Sequence, residues 1–368
     1  MALLCKPAIG LPEHVITQED TLALARSLHA DHPKLGLALR LIENAGVAQR
    51  HLVRPIEETL RHTGFTHRNK IFEEEAKKRV PAVARTALVN ARLDAVDLDA
   101  VIFVSCTGFM MPSMTAWLIE ELGCRPTTTQ LPIAQLGCAA GAASINRAAD
   151  FCATHSGGNV LVIACEFCSL CYQPDDLEVG NLLSNGLFGD AVAASVVRGD
   201  DLGTGMRLEA QGSYIIPGTQ DWISYEVRHT GFHFRLNKGV PGTMREVMPE
   251  LRRFVHANGE ELTSLDFYAI HTGGPRVLEA LHTHGGVPLG QLQESWNTLE
   301  SKGNVASAAV FDVFLRFYED QPAPGRPGLI AGFGPGITME LALGTWVSHT
   351  GPRPAAVPAR KEISVGLR

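Results

Sequence analysis

The feature that most constrains this chain is an alternation of short apolar segments with helix-like segments, which occurs twice along the sequence. The first series predicts strands at residues 100–105, 130–134, 159–164 and 191–197. The second predicts strands near Tyr214 and at residues 267–270, 329–332 and 339–346. Strands alternating with helices are typical of an α/β fold. The first 90 residues, in contrast, read as helices with polar connections, at residues 18–30, 33–44 and 69–93.

The two series look like weak copies of each other. Residues 99–108 (DAVIFVSCTG) resemble residues 266–273 (DFYAIHTG), and residues 138–144 (CAAGAAS) resemble residues 304–310 (NVASAAV). In a fold duplicated in this way, matching points of the two halves converge on one central crevice. We therefore predict an N-terminal half at residues 1–205, a C-terminal half at residues 206–350 and a loose, proline-rich tail at residues 351–368.

Cys138 is the candidate nucleophile. It lies between the strand-like residues 131–134 and a run of small residues that favours a tightly packed helix. A cysteine at a helix N-terminus experiences the helix dipole and free backbone N–H groups, which stabilise the nucleophilic thiolate. The alternative is a buried structural cysteine, which is the usual state of a free thiol.

His271 and Asn304 are the candidate partners of this thiol. His271 ends a predicted strand and precedes a Thr-Gly-Gly-Pro turn, and Asn304 opens a helix of small residues. Taken singly, they could be a core histidine and a helix N-cap. Together with Cys138 they supply what acyl transfer needs, a nucleophile, a base and an oxyanion donor. Papain-like proteases also use Cys, His and Asn, but the residues flanking Cys138 lack the protease signature.

Composition excludes several other classes of protein. The net charge of −7 argues against a general nucleic-acid role. No stretch approaches the roughly 18 apolar residues of a membrane span. Residues 1–7 lack the apolar core of a signal peptide, so we expect a cytoplasmic protein whose eight cysteines are thiols.

A cysteine cluster leaves one further class open. Cys165, Cys168 and Cys171 have a C-x2-C-x2-C spacing, which could hold zinc or an iron–sulfur cluster. No fourth ligand stands nearby at a recognisable spacing, so we expect no metal. A metal-binding or redox-sensing protein built on this cluster remains the alternative.

Six motifs in order give the chain a family resemblance. They are Cys138 among small residues, 186–190 (GLFGD), 231–234 (GFHF) with 240–242 (VPG), 271–275 (HTGGP), 303–304 (GN) and 332–336 (GFGPG). Over about residues 1–346 the chain resembles the type III polyketide synthases, which are chalcone synthase-like members of the thiolase superfamily. Residues 106–112, 135–141 and 165–174 look like the bacterial 1,3,6,8-tetrahydroxynaphthalene synthases.

The resemblance implies a thiolase-like fold with layered αβαβα architecture, two pseudo-duplicated halves and a homodimer. It implies iterative decarboxylative condensation of malonyl-CoA, with no metal, no further cofactor, no nucleic acid and no membrane. Cys138 would carry the growing chain as a thioester. His271 would keep that sulfur as a thiolate. His271 and Asn304 together would stabilise the thioester oxygen and promote decarboxylation.

The resemblance also assigns the cavity. It implies Phe188 and Phe234 as gatekeepers, with Cys106, Cys168, Cys171 and Tyr225 lining the pocket. A phenol at position 225, where plant relatives carry glycine, would favour a small starter. Five malonyl units would then give tetrahydroxynaphthalene. Another acyl-CoA starter, leading to pyrones or resorcinols, is the alternative.

The substrate entrance departs from the family pattern. Of the basic positions expected at the CoA mouth only Arg40 matches, because Leu37 and Asn44 occupy the other two. Arg50 or Arg276 could supply the missing phosphate donors. Met111 matches the residue that reaches the neighbouring subunit's cavity. A ketoacyl-ACP synthase III-like enzyme shares the Cys–His–Asn set, but the segment at residues 332–336 speaks against it.

Overall fold

The computed structural model describes residues 2–61, 63–200, 202–237 and 239–348. Within this part the strands are β1 (Ala2–Cys5), β2 (Ala8–Gly10), β3 (His14–Thr17), β4 (Gln49–Leu52), β5 (Ala100–Ser105), β6 (Thr129–Ala134), β7 (Asn159–Phe167), β8 (Asp190–Arg198), β9 (Thr204–Ile215), β10 (Ile223–Arg228), β11 (Gly231–Leu236), β12 (Phe267–Ile270), β13 (Pro327–Gly334) and β14 (Thr338–Ser348). The α-helices are α1 (Gln18–Leu28), α2 (Leu35–Glu43), α3 (Ile56–Thr59), α4 (Phe65–Ala91), α5 (Met114–Leu122), α6 (Ala140–Thr154), α7 (Val179–Leu187), α8 (Val240–Ala257), α9 (Pro275–Thr283), α10 (Gln293–Lys302) and α11 (Ala309–Arg316).

Strand pairing repeats between the two halves. Among the described residues, ten strands join in the order β12-β13-β14-β9-β1-β8-β7-β5-β6, with β2 added on β8. In the first half β5 is parallel to β7, which is antiparallel to β8, which is antiparallel to β1. In the second half β12, β13, β14 and β9 repeat these three relations. The two halves are thus pseudo-duplicated, and they meet where β1 pairs with β9.

Helices separate and cover the two sets of strands. α6 contacts β5, β7 and β8 on one side and β13 and β14 on the other, and α11 likewise contacts β8 and β12. α4 and α5 pack outside the first set, and α8 and α9 share a core with β13 and β14 outside the second. The order of layers is αβαβα, so the fold predicted from the sequence is confirmed.

The eight strands predicted from apolar runs are all present, and β5 and β12 have the predicted bounds. The three helices predicted in the first 90 residues are present as α1, α2 and α4, but the prediction missed β1 to β4, which lie in the same part of the chain. These strands have three or four residues each, too few to show a period of two. β1 is buried throughout, so its sequence does not alternate. The predicted tail at residues 351–368 lies outside the described residues.

No helix in the described ranges combines the length and the apolar character needed to cross a membrane.

Candidate active site

Cys138 lies at the start of a helix, as the sequence predicted. The chain leaves β6, makes a 3-10 turn at Gly137–Ala139 and continues into α6. Gly137 has φ of +51°, and a Cβ there would lie 2.6 Å from the Pro335 ring. Glycine is therefore required where this turn passes the Gly-Phe-Gly-Pro-Gly segment.

Asn304 occupies the equivalent turn of the second half. It precedes the 3-10 turn Ala306–Ala308, which continues into α11. Its backbone N–H donates to the Leu187 carbonyl at 2.8 Å, and its carbonyl accepts from the Gly189 N–H at 3.0 Å. Its side-chain Oδ1 accepts from the Ala306 N–H at 2.9 Å, which turns Nδ2 the other way.

The two turns are in direct contact. A hydrogen bond from the Asn304 side chain acts on the Cys138 sulfur and favours its thiolate. An ideal Cβ on Gly141 would lie 2.1 Å from the Ser307 carbonyl oxygen, so α6 touches the backbone of the second turn. The small residues after Cys138 are thus explained by this close approach.

His271 follows β12 and is 2 % exposed. Its backbone N–H donates to the Ala331 carbonyl at 2.9 Å. Its ring Nδ1 is buried, with no hydrogen-bond partner among the described residues. Burial lowers the pKa of His271 to about 3 and raises that of Cys138 to about 12. Desolvation therefore favours a neutral imidazole and a neutral thiol, so the thiolate that the family resemblance implies has to form by proton transfer inside the site.

One cavity of about 680 Å³ brings most of the predicted site residues together. Its lining includes Cys106, Cys138, Cys168, Cys171, Phe188, Tyr225, Phe234, His271 and Asn304. The predicted nucleophile, donors, gatekeepers and cavity thiols thus share a single pocket. A volume of this size is typical of a small-molecule site.

Aromatic rings form one wall of the cavity. The ring of Phe188, which follows α7, meets that of Phe234 on β11 edge to face, with centroids 5.7 Å apart. The ring of Tyr225 on β10 lies 4.7 Å from that of Phe232. Burial raises the pKa of Tyr225 to about 12, so its phenol stays protonated and can donate a hydrogen bond.

A buried carboxylate behind the cavity was missed from the sequence. Glu166 on β7 is fully buried and accepts hydrogen bonds from the Cys106 N–H at 3.1 Å, from the Thr107 hydroxyl at 3.0 Å and from the Ser307 hydroxyl. Burial raises the pKa of Glu166, and its charge adds to burial in raising that of Cys138. An acidic residue inside an otherwise apolar strand was the available signal.

The structure divides the cysteine cluster. Cys168 and Cys171 line the cavity, whereas Cys165 packs in the core between β7 and the outer helices. Within the described ranges, no group of three or more His, Cys, Asp and Glu side chains is arranged to hold a metal ion.

Three further predicted residues, Arg40, Arg276 and Met111, lie at the surface. Arg40 is on the exposed face of α2, while its neighbours Leu41 and Asn44 line the cavity. Arg276 is exposed at the rim and pairs with Glu279 at 3.0 Å. Met111 is 95 % exposed.

Comparison with known proteins agrees with this geometry. Residues 3–201 match the N-terminal domain of chalcone and stilbene synthases, and residues 207–347 match the C-terminal domain. The chain is 57 % identical to a 1,3,6,8-tetrahydroxynaphthalene synthase of Streptomyces griseus, over 95 % of this chain and 94 % of the relative. It is 45 % identical to a phloroglucinol synthase of Pseudomonas fluorescens, over 95 % of this chain and 100 % of the relative.

A solved structure shows the same fold. The crystal structure of 1,3,6,8-tetrahydroxynaphthalene synthase from Streptomyces coelicolor, a bacterial type III polyketide synthase, matches with a TM-score of 0.92 at 57 % identity, over 95 % of this chain and 100 % of that one. The chain therefore belongs to the chalcone and stilbene synthase family and is a type III polyketide synthase, a CoA-dependent condensing acyltransferase.

Proposed function

We propose that this enzyme condenses five malonyl-CoA units into 1,3,6,8-tetrahydroxynaphthalene. The observation that carries the proposal is the position of Tyr225 inside the cavity, where its phenol takes up room that a bulky starter would need. The 57 % identity to the Streptomyces griseus enzyme of that name supports the same product.

Loading begins at Cys138. Its sulfur attacks the thioester carbonyl of malonyl-CoA, the C–S bond to CoA breaks, and CoA leaves as its thiol with the proton that Cys138 gave up. His271, which lines the same cavity, takes that proton in transit. Because burial disfavours the charged ring, His271 passes the proton on to the CoA sulfur and does not hold it. The product of this step is an acyl group joined to Cys138 as a thioester.

Extension uses Asn304 and His271 as donors. A second malonyl-CoA loses carbon dioxide, and the electron pair of the broken C–C bond becomes an enolate whose oxygen needs hydrogen-bond donors. Two hydrogen bonds hold the Asn304 backbone and a third holds its side-chain Oδ1, so the side-chain amide is ready to donate without rearranging. The enolate carbon then attacks the acyl thioester, a C–C bond forms, and the C–S bond to Cys138 breaks with release of its thiolate. The lengthened chain is now a CoA thioester, and Cys138 attacks it to reload the chain and release CoA before the next round.

The cavity wall controls the fate of the growing chain. Phe188 and Phe234 form the gate between the CoA side and the reaction cavity. Cys106, Cys168 and Cys171 present small, weakly polar groups to a reactive poly-β-ketone. Burial keeps the thiols of Cys168 and Cys106 protonated, because it raises their pKa well above the usual value. Burial raises the pKa of Cys138 as well, but among these three thiols it is Cys138 on which the Asn304 hydrogen bond acts and favours the thiolate, so we assign the nucleophile to Cys138.

The CoA moiety remains outside this gate. Arg40 on the exposed face of α2 is the proposed phosphate contact, because Leu41 and Asn44 of the same helix line the cavity mouth. Each proposed step uses side chains and CoA thioesters alone. The proposal therefore calls for no metal and no further cofactor, and activity should survive dialysis against a chelator.

The proposed assembly is a homodimer. Each subunit consists of two halves that divide near residue 205. β6 is the last strand of the sheet, and its free edge has no partner strand within the described chain. In the loop after β5, the strand that pairs with β6, Phe109 and Met111 are 56 % and 95 % exposed. An exposed sheet edge flanked by apolar side chains favours pairing with a second copy. Sedimentation of the protein and of Phe109→Asp would test this, and a monomeric unaltered protein would refute it.

The function is tested by incubating the protein with malonyl-CoA alone and identifying the products by mass. Tetrahydroxynaphthalene or its naphthoquinone oxidation product should form. Cys138→Ala should form neither, while Cys124→Ala, which removes a thiol outside the cavity, should match the unaltered enzyme. Pyrones or resorcinols formed only after another acyl-CoA is added would refute malonyl priming. Turnover only with an ACP-bound extender would support the ketoacyl-ACP synthase alternative.

A further inference from the structure

Arg50 is a buried arginine in the wall of the cavity. It lies on β4, is 6 % exposed and lines the cavity between the gate and the turn that carries Asn304. Burial lowers its pKa to about 10, with the Asp190 charge acting the other way, so the guanidinium stays protonated at neutral pH. A buried cation is costly unless its hydrogen bonds are used, so its partners indicate its role.

Two acceptors of this guanidinium belong to the substrate path. Nη1 donates to the carbonyl oxygen of Phe188 at 3.0 Å, and Nη2 donates to the hydroxyl of Thr21 at 2.7 Å. Phe188 is the proposed gate, and Thr21 is on α1, one wall of the cavity mouth. The planar fork of arginine holds two such acceptors in a fixed geometry, whereas a lysine presents its three donors from one flexible point.

The segment around Phe188 is also hydrogen-bonded to Asn304. Leu187 and Gly189, on either side of Phe188, exchange backbone hydrogen bonds with Asn304 at 2.8 Å and 3.0 Å. A Cβ on Gly303 would lie 3.1 Å from Cγ of Arg50, so the arginine stem packs directly under this turn. Movement of the Phe188 carbonyl would therefore move the Asn304 backbone.

We propose that Arg50 is a positioning residue that holds the Phe188 gate and the Asn304 amide in one fixed arrangement relative to the mouth helix α1. It acts through Phe188 and Asn304 and does not touch the reacting atoms. The proposal rests on the proposed function, in which Phe188 is the gate and Asn304 a donor. On this proposal Arg50 affects the rate of the chemical steps and does not affect the affinity for CoA.

The test is Arg50→Gln, with steady-state kinetics on malonyl-CoA. A displaced donor should lower kcat at least about tenfold, since small misplacements of catalytic groups have large effects on rate. KM should stay within about threefold. A raised KM with an unchanged kcat would overturn the proposal and point to a direct contact between Arg50 and CoA.

A second readout does not depend on the product. Because the Asn304 hydrogen bond lowers the pKa of Cys138, its displacement should raise the pH at which iodoacetamide alkylates that sulfur. Arg50→Gln should show this rise by peptide mass analysis. An unchanged alkylation profile would overturn the coupling to Asn304, even if the enzyme made a different polyketide.

Two further variants separate positioning from folding. Arg198→Gln is the matched control, because Arg198 is also buried and donates to a backbone carbonyl, that of Ala91 at 2.8 Å, but outside the cavity. It should lower the melting temperature without changing the alkylation profile. Thr21→Val removes one acceptor of Arg50 without removing the charge. It should raise the alkylation pH less than Arg50→Gln does, and it serves as the test if Arg50→Gln fails to fold.

Discussion

The segments that carry Cys138 and Asn304 occupy equivalent positions in the two halves, yet they have different roles. Cys138 lies in a 3-10 turn and Asn304 just before one, and each turn continues into a helix of the central layer. Cys138 is partly accessible to the cavity, whereas Asn304 is 2 % exposed and hydrogen-bonded at three of its atoms. In the proposed function, duplication thus provides one segment for the reacting atom and one for a fixed donor.

Of the variants that test this comparison, Asn304→Ala should have the largest effect. Loss of a preorganised oxyanion donor should lower kcat by about 10²–10³. The pH of Cys138 alkylation should rise, because the thiolate loses its hydrogen bond. Asn297→Ala on α10 is the control and should change neither value. A fall in kcat of less than about threefold would show that the second turn does not supply the donor.

The second largest effect is expected from a change at the contact between the two turns. Gly141→Ala would place a Cβ 2.1 Å from the Ser307 carbonyl oxygen, and overpacking of this kind should lower the free energy of unfolding by about 1–3 kcal/mol. Gly36→Ala in α2 meets nothing within 4 Å and should leave stability equal or up to about 1 kcal/mol higher. Urea denaturation of both variants measures this. Equal stability of Gly141→Ala and the unaltered protein would contradict the close approach.

Glu166→Gln should shift the titration of Cys138 in the opposite direction to Asn304→Ala. The Glu166 carboxylate raises the pKa of Cys138, so its neutralisation should lower that pKa and make alkylation faster at neutral pH. Glu121→Gln, at the exposed end of α5, is the control. If the pH at which Cys138 is alkylated rises or stays unchanged, Glu166 does not act on the sulfur.

The smallest expected effect is that of Tyr225→Phe, which keeps the ring and removes only the hydroxyl. A neutral hydrogen bond is worth about 0.5–1.5 kcal/mol, so turnover with malonyl-CoA alone should fall less than about tenfold. Tyr214→Phe on β9 is the control. An identical rate in both variants would mean that Tyr225 acts through its volume alone.

The sequence was sufficient where function depends on local pattern. The apolar runs predicted β5 and β12 with their bounds, and the repeated small-residue segments predicted that Cys138 and Asn304 open equivalent helices.

It was insufficient where function depends on pairs distant in the chain. Ser307 bonds Glu166 across 141 positions, and Arg50 bonds Phe188 across 138. Neither pairing leaves a periodic signal, because each depends on how separate elements pack. Strands as short as β1 also escape, since four buried residues do not alternate.

The central claim is that Cys138 alone carries the growing chain. The most direct test mixes the protein briefly with malonyl-CoA, quenches it in acid and maps the acyl group by peptide mass. Asn304→Ala, in which extension should be slow, would help the first acyl-enzyme accumulate. We expect a thioester on the peptide that contains Cys138. An acyl group on Cys106, Cys168 or Cys171 with Cys138 unmodified would contradict the claim.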